Sequence, residues 1–305
     1  MTDAIIDILE AENIAPNEKV TQMCETISAR HAGRVIGFLY YGSSLRQMNE
    51  GGKMLDFYVV VDSYRKTHRN PIRAILNAAI PPAVYYVEIT HEDGSLSTCK
   101  YSIISIKGFE RRCGSSALLS TVWGRFSQPS ILLHPSNDII KSRIMTARAN
   151  AVSHLAKVTA PLLSGSVTPV NFWARGLRES YRTELRPEAS ETRSIEIVER
   201  YRERYVALST CLFGPLSNDG AHNFAPSPNL SVKSRWFLRR LIGKPMTAVR
   251  VLNNAATFDG GLEYVLRKLH NHSGITIDVT PSQRKHPVLW SPILGWKLWR
   301  KGAFR

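Results

Sequence analysis

The stretch RVIGFLYYGSSLRQMNEGGKMLDFYVVVD, residues 34–62, decides the fold class of this chain. From Arg34 to Tyr41 it is apolar and aromatic, with no alternation of polar residues, the pattern of a strand covered on both faces. It stops at Gly42-Ser43-Ser44. A polar spacer containing the Gly51-Gly52 turn follows, and Leu55 to Val61 reads as a second strand, closed by Asp62 and Ser63. A buried strand, a small-residue turn and a second strand opening on an acid therefore stand in succession.

The neighbouring sequence extends this pattern in both directions. Residues 3–30 read as one or two helices, with Ala4, Ile5, Ile8 and Leu9 on one stripe and Asn17 placed to cap the second. Asn70 to Ala79 is a helix with Pro71 at its first position. Ala83 to Thr90 and Thr98 to Ile106 are strands joined by the turn His91-Glu92-Asp93-Gly94. Beyond Ser116 the periodicity turns helical, over 117–126, 136–155, 171–183 and 195–212. Residues 214–230, rich in Gly, Pro, Ser and Asn, read as a linker. The expected architecture is α+β. A mixed sheet with helices occupies 1–135, a helical domain 136–215, and a linker with a basic extension 216–305.

Hydrophobic residues make up 43% of the 305, enough for a sizeable core. The four cysteines, Cys24, Cys99, Cys113 and Cys211, form no CxxC pair and point to a reducing compartment rather than a disulfide framework. The acidic start, MTDAIIDILEAE, has neither a basic secretory leader nor an Arg-rich transit character, and no apolar run approaches the roughly 20 residues a spanning helix needs. These features suggest a peripheral protein at the cytoplasmic face of a bacterial inner membrane.

The net charge of +15 is concentrated late: from Lys233 onward there are 14 Lys plus Arg against 3 acids. Such a block attracts phosphates, on lipid headgroups or on nucleic acid. Trp290, Trp296, Trp299 and Phe304 lie among Lys297, Arg300, Lys301 and Arg305, and SRWFLRRLIG (234–243) repeats the mixture. Tryptophan and basic residues together favour an anionic membrane surface; the same tryptophans could instead be core residues of a packed helix.

Chemistry is suggested by the turn and the acid. Gly42 has no Cβ to obstruct an approaching phosphate, and backbone N–H groups of Gly42-Ser43-Ser44 with the Ser43 hydroxyl can donate to phosphate oxygens. Asp56 on the next strand is placed to hold Mg²⁺, which neutralises charge in nucleotidyl transfer from a nucleoside triphosphate. A second carboxylate two residues on would complete such a site, but Tyr58 stands there. Glu88 is the first candidate to replace it and Asp62 the second, although Asp62 lies roughly 20 Å along the strand and more naturally ends it. On the motif alone, an ordinary turn followed by an exposed strand acid is an equal reading. No Ser-His-Asp arrangement and no histidine metal site can be read.

YYGSSLRQ and KMLDFYVVV resemble the Tyr-Gly-Ser-Gly and Met-Ile-Asp-Phe-Ile blocks of the mitochondrial-type phosphatidate cytidylyltransferases, the translocator assembly and maintenance family. Lys100-Tyr101-Ser102-Ile103-Ile104 resembles that family's Lys-Tyr-Gly-Val strand. Trp123-Gly124-Arg125-Phe126-Ser127-Gln128-Pro129 resembles its Ala-Gly-Arg-Leu-x-Lys-Pro segment. Glu179 to Arg186 stands where the family has Gly-Asp-x-Arg. The blocks keep the family's order across roughly residues 35–215, with Ser44 and Ser102 in place of glycines. The stretch from Ser231 onward has no counterpart.

The resemblance implies a nucleotidyltransferase fold followed by a winged-helix-like domain. It also implies conversion of CTP and phosphatidic acid to CDP-diacylglycerol and pyrophosphate with Mg²⁺. Carried over, Gly42, Ser43 and Ser44 bind the triphosphate, Asp56 with Glu88 holds the metal, and Lys100 and Arg125 supply cations to phosphates. Arg182, Glu184 and Arg186 are further candidates to line a cleft, or form a solvated helix face. Two other functions remain: a nucleotidyltransferase acting on RNA or a soluble phosphate, and a lipid- or nucleic-acid-binding protein with a decayed site. No RNA-binding motif is visible.

Overall fold

The computed structural model describes residues 1–45, 54–68, 70–185, 190–225, 230–255, 266, 270, 274–285 and 287–301. The Gly51-Gly52 turn, Arg186, Phe304 and Arg305 lie outside them. The elements run α1 (Thr2–Glu10), α2 (Glu18–Arg30), β1 (Val35–Tyr41), β2 (Leu55–Val61), α3 (Tyr64–Thr67), α4 (Pro71–Ala79), β3 (Ala83–Thr90) and β4 (Leu96–Ser105). They continue with α5 (Ile106–Cys113), α6 (Trp123–Phe126), β5 (Ser130–Leu133), α7 (Asp138–Thr159), β6 (Gly165–Val167), α8 (Pro169–Tyr181), α9 (Ser190–Arg200), α10 (Arg202–Phe213) and β7 (His222–Phe224). The last are α11 (Leu230–Ala255), α12 (Pro281–Lys285) and α13 (Pro287–Arg300). The chain is α+β with a mixed sheet.

It divides into two units, each made of two chain segments. The sheet unit is 16–105 with 244–305, and the helical unit is 1–15 with 106–243. This differs from the division at 135 and 215 that the sequence suggests. The difference arises because α1 belongs with the helices and the chain after Gly243 belongs with the sheet.

In the sheet unit the strand order is β3-β4-β2-β1. β1 and β2 are antiparallel, β2 and β4 parallel, and β3 and β4 antiparallel. The parallel pair needs a crossover, and α3, α4 and β3 supply it. β2 is buried from Phe57 to Val61 on both faces and half-buried only at Leu55 and Asp56, which explains its unbroken apolar run. Asn17 caps α2, its side chain accepting from Val20 N at 2.9 Å, and α2 buries Val20, Met23, Cys24 and Ile27. Asn70 caps α4 with Pro71 in its first turn.

A polar and aromatic cluster lies within this unit. Asn77 donates to His68 Nε2 at 2.9 Å and accepts from Ala83 N at 2.7 Å, while Tyr85 stacks on Tyr101. His31 Nε2 meets the Tyr101 hydroxyl at 3.1 Å, and burial, with His68 and Arg30 nearby, pushes the His31 pKa down to about 4.

In the helical unit, the carboxylate of Glu12, just past α1, joins three helices. Its Oε2 accepts from Arg148 of α7 at 3.0 Å, and its Oε1 accepts from Arg204 of α10. Arg148 is fully buried and also donates to Ser130 O at 2.7 Å; Arg204 donates to Ser127 O at 3.0 Å. Trp173 Nε1 of α8 is satisfied by Ser209 Oγ at 2.9 Å and Tyr205 O at 3.1 Å on α10. Trp123 is buried against His154, whose pKa burial and the Arg239 charge lower to about 4.

Several elements depart from the sequence reading. The helix expected at 117–126 is instead α5, beginning at Ile106, and the short α6. The helix expected at 195–212 is split at Tyr201 into α9 and α10, with neither Gly nor Pro at the break. The expected linker contains β7, paired with β6.

Two predictions follow from buried charge. Glu12→Ala leaves two guanidinium groups facing each other without their carboxylate, and stability is expected to fall by about 3–5 kcal/mol in urea unfolding. His31 and His154 have folded pKa values near 4, below the unfolded value of about 6.5. The unfolded chain therefore binds more protons, and their contribution, complete above about pH 6.5, is lost as pH falls toward 4. The urea midpoint of wild type should decline over that window, and His31→Phe should flatten the decline.

Candidate nucleotide site

Sequence spacing and sheet register bring three of the singled-out residues together. Tyr41, the last residue of β1, is opposite Asp56 on β2; Asp56 is opposite Lys100 on β4; Lys100 is opposite Tyr86 on β3. Directly opposed residues share a face, so Asp56 and Lys100 form an acid–base pair of neighbours across the parallel strands. Both are half-buried, at the point where the core gives way to solvent.

Gly42 follows immediately. Its φ of +91° is a conformation that L side chains avoid, and a Cβ built on it would meet Asp56 Oδ2 at 3.0 Å. The turn is thus pressed against the carboxylate, and only glycine allows both the backbone conformation and the contact. Ser43 is exposed, whereas Ser44 is 2% exposed.

Among the described residues the Ser44 Oγ and the Tyr40 hydroxyl, both buried, have no hydrogen-bond partner at good geometry. Burial pushes the Tyr40 phenol up to about 12, the nearby Ser44 hydroxyl offsets part of this, and the Asp56 charge adds to it. Tyr40 therefore stays protonated and able to donate. Burial raises Cys99 further, again with Asp56 contributing, so this thiol is inert. The sequence reading passed over Tyr40; its signal was only that it precedes the turn.

The other residues are placed elsewhere. Glu88 is opposite Thr98, so it lies two strands across and two residues along from Asp56, about 12 Å between Cα atoms by ordinary sheet spacings. Its Oε1 accepts from the Tyr86 hydroxyl, and its side chain is exposed. The register does not bring it beside Asp56: Lys100 and Tyr86 stand between them in the sheet. Asp62 ends its strand, 3.2 Å from Arg34 Nη1.

Arg125 is on α6 in the helical unit, between the buried Trp123 and Phe126. α8 ends at Tyr181, so Arg182 caps it and Glu184 lies beyond it. A pocket of about 550 Å³ in the helical unit, lined by Phe213, Pro215, His222 and Phe224 among others, contains none of these residues. Among the described residues no group of three or more His, Cys, Asp or Glu converges on a metal position.

Compared with known proteins, the chain matches no family model and no curated protein.

Gly42→Ala should lower stability by about 1–2 kcal/mol, the cost of a side chain in left-handed backbone. It should also displace the Asp56 carboxylate. Denaturant titration measures the first; the second should appear as a shifted Asp56 carboxyl resonance in NMR.

Proposed function

We propose that the protein is a nucleotidyltransferase that uses CTP and a phosphate monoester acceptor, phosphatidic acid, to form CDP-diacylglycerol and pyrophosphate at a membrane surface. The observation that carries this reading is the close contact between Gly42 and the Asp56 carboxylate, with Lys100 as the neighbour of Asp56 in the sheet. The resemblance of the two blocks around that contact to phosphatidate cytidylyltransferases supplies the substrate class. A nucleotidyltransferase fold fits the strand–turn–strand arrangement of β1 and β2. A winged-helix-like fold fits the β6–β7 pair with α8, α9 and α10.

The hydroxyls of Ser44 and Tyr40 lie buried close to each other beneath the turn, and a triphosphate oxygen would give the Ser44 hydroxyl a stronger acceptor. Mg²⁺ commonly takes one or two protein carboxylates with the rest of its ligands from phosphate and water, and Asp56 fits that role without Glu88. When bound, the ion would neutralise triphosphate charge. The chain's own residues do the remaining work. The turn from Gly42 to Ser44 offers backbone N–H groups to the phosphates, and Lys100 places a cation beside the charge that grows in the transition state. The acceptor phosphate is already ionised, so it can attack the α-phosphorus while the bond to the β-phosphate oxygen breaks, and no general base is needed.

Peripheral membrane attachment fits two exposed faces. On α13, Ile293, Trp296, Lys297 and Arg300 fall on one stripe, with Trp296 57% exposed. On α11, Phe237, Leu238 and Leu241 are exposed. Trp236, by contrast, is core: it is 1% exposed and donates to Val158 O at 3.1 Å. No helix among the described residues is long and apolar enough to cross a membrane.

With vesicles containing phosphatidic acid, CTP and Mg²⁺, the purified protein should release pyrophosphate and form CDP-diacylglycerol. Asp56→Asn should lose at least about 100-fold in turnover, and Lys100→Met about 10–100-fold, without unfolding. Absence of pyrophosphate from all four nucleoside triphosphates would overturn the assignment. CTP binding without turnover, abolished by Asp56→Asn, would instead make this a nucleotide-binding protein.

A further inference from the structure

We infer that the helical unit carries a second anion site, independent of Asp56: a phosphate-binding cluster of Arg175, Arg182 and Arg240 organised by the buried carboxylate of Glu179. On α8 and its C-cap, Arg175, Arg178, Glu179 and Arg182 are spaced i, i+3, i+4, i+7 and share one face. Glu179 is 1% exposed. Its Oε1 lies 3.4 Å from both Arg175 Nη2 and Arg182 Nη1, and its Oε2 accepts from Arg240 of α11. Arg178 is engaged separately, 2.6 Å from Glu191.

One bidentate arginine is enough to satisfy a buried carboxylate. Here three guanidinium groups surround one, leaving a surplus of two positive charges where like charges repel. Each guanidinium has five N–H donors, and Glu179 uses few of them. The Nε atoms of Arg175 and Arg240 are buried with no partner among the described residues, while the side chains are 36% and 31% exposed and Arg182 is 48% exposed. Inner donors are therefore oriented and the outer edges reach solvent. Two surplus charges and the guanidinium N–H groups that Glu179 leaves over match a tetrahedral oxyanion of charge near −2, a phosphate or phosphate monoester.

The cluster is held rigidly. A Cβ on Gly243 would lie 2.4 Å from Thr183 O, so α11 runs hard against the end of α8. Arg239 donates to Leu118 O at 2.9 Å and stacks over Trp236, fixing the turn that presents Arg240. Glu179 is a positioning residue: it sets the guanidinium groups without contacting the ligand.

The test is calorimetric titration of the full chain with inorganic phosphate near neutral pH, at constant ionic strength. Arg182→Ala and Arg175→Ala each leave Glu179 with two arginines, so folding should persist, as circular dichroism would check. Each should weaken phosphate binding about tenfold or more, the loss of one charge-assisted contact. Arg202→Ala, which removes an exposed charge on α10, should leave binding unchanged. Asp56→Asn should also bind phosphate normally, which separates this site from the proposed nucleotide site.

A vesicle arm distinguishes free phosphate from a lipid headgroup. If the ligand is a lipid phosphate monoester, wild type should sediment with phosphatidic acid vesicles in preference to phosphatidylglycerol vesicles of equal charge, and Arg182→Ala should lose that preference. If only the calorimetric effect is seen, the ligand is soluble. No phosphate binding above the salt control, or equal affinity in wild type, Arg175→Ala and Arg182→Ala, would overturn the site.

Discussion

The helical unit depends on a carboxylate removed from water and shared between two arginines. Glu12 takes Arg148 from α7 and Arg204 from α10, which are far apart in sequence, and these arginines also donate to the carbonyls of Ser130 and Ser127, respectively. A buried ion group of this kind contributes little net stability compared with apolar packing, but it is strongly directional. It fixes which segments meet, and aromatic packing around Trp173 and Tyr205 fills in behind it.

The same device recurs at Glu179 with a different balance. Around Glu12 two cations meet one carboxylate, both also donate to backbone carbonyls, and little of their side-chain surface reaches solvent. Around Glu179 the cations outnumber the carboxylate three to one and keep an edge in solvent. The contrast between a closed ion cluster and an open one separates architecture from a candidate site within a single unit. In the sheet unit the distinction is made by position along a strand: β2 is buried on both faces until its first residues, and Asp56 sits where that burial begins.

Much of this was legible in the sequence. β2 and α4 fall where apolar runs, Asn70 and Pro71 indicate, and Asn17 caps α2 as its residue type suggests. The turn at Gly42 and the acid at Asp56 could be read as neighbours because two buried strands joined by a short spacer pair antiparallel. What could not be read was lateral order. That β4 lies beside β2, and β3 beyond it, follows from a crossover that leaves no local mark, and this order sets Lys100 next to Asp56 and Glu88 away from it. The Arg175-Arg178-Glu179-Arg182 spacing was visible, but the arrival of Arg240 from a distant helix was not. The split at Tyr201 has no Gly or Pro to announce it, and β5 is too short to display a period.

Each unit is assembled from two stretches of chain, and this imposes an order on synthesis. The segment that bears Glu12 is made before 16–105, and its partner Arg204 only after the whole of that stretch. The sheet strands of that intervening stretch can pair with one another as they appear, since β1 through β4 are contiguous. Residues 1–15 are therefore paired late: Glu12 closes a helical unit whose other segments are made after it, so a change at Glu12 acts on that closing step.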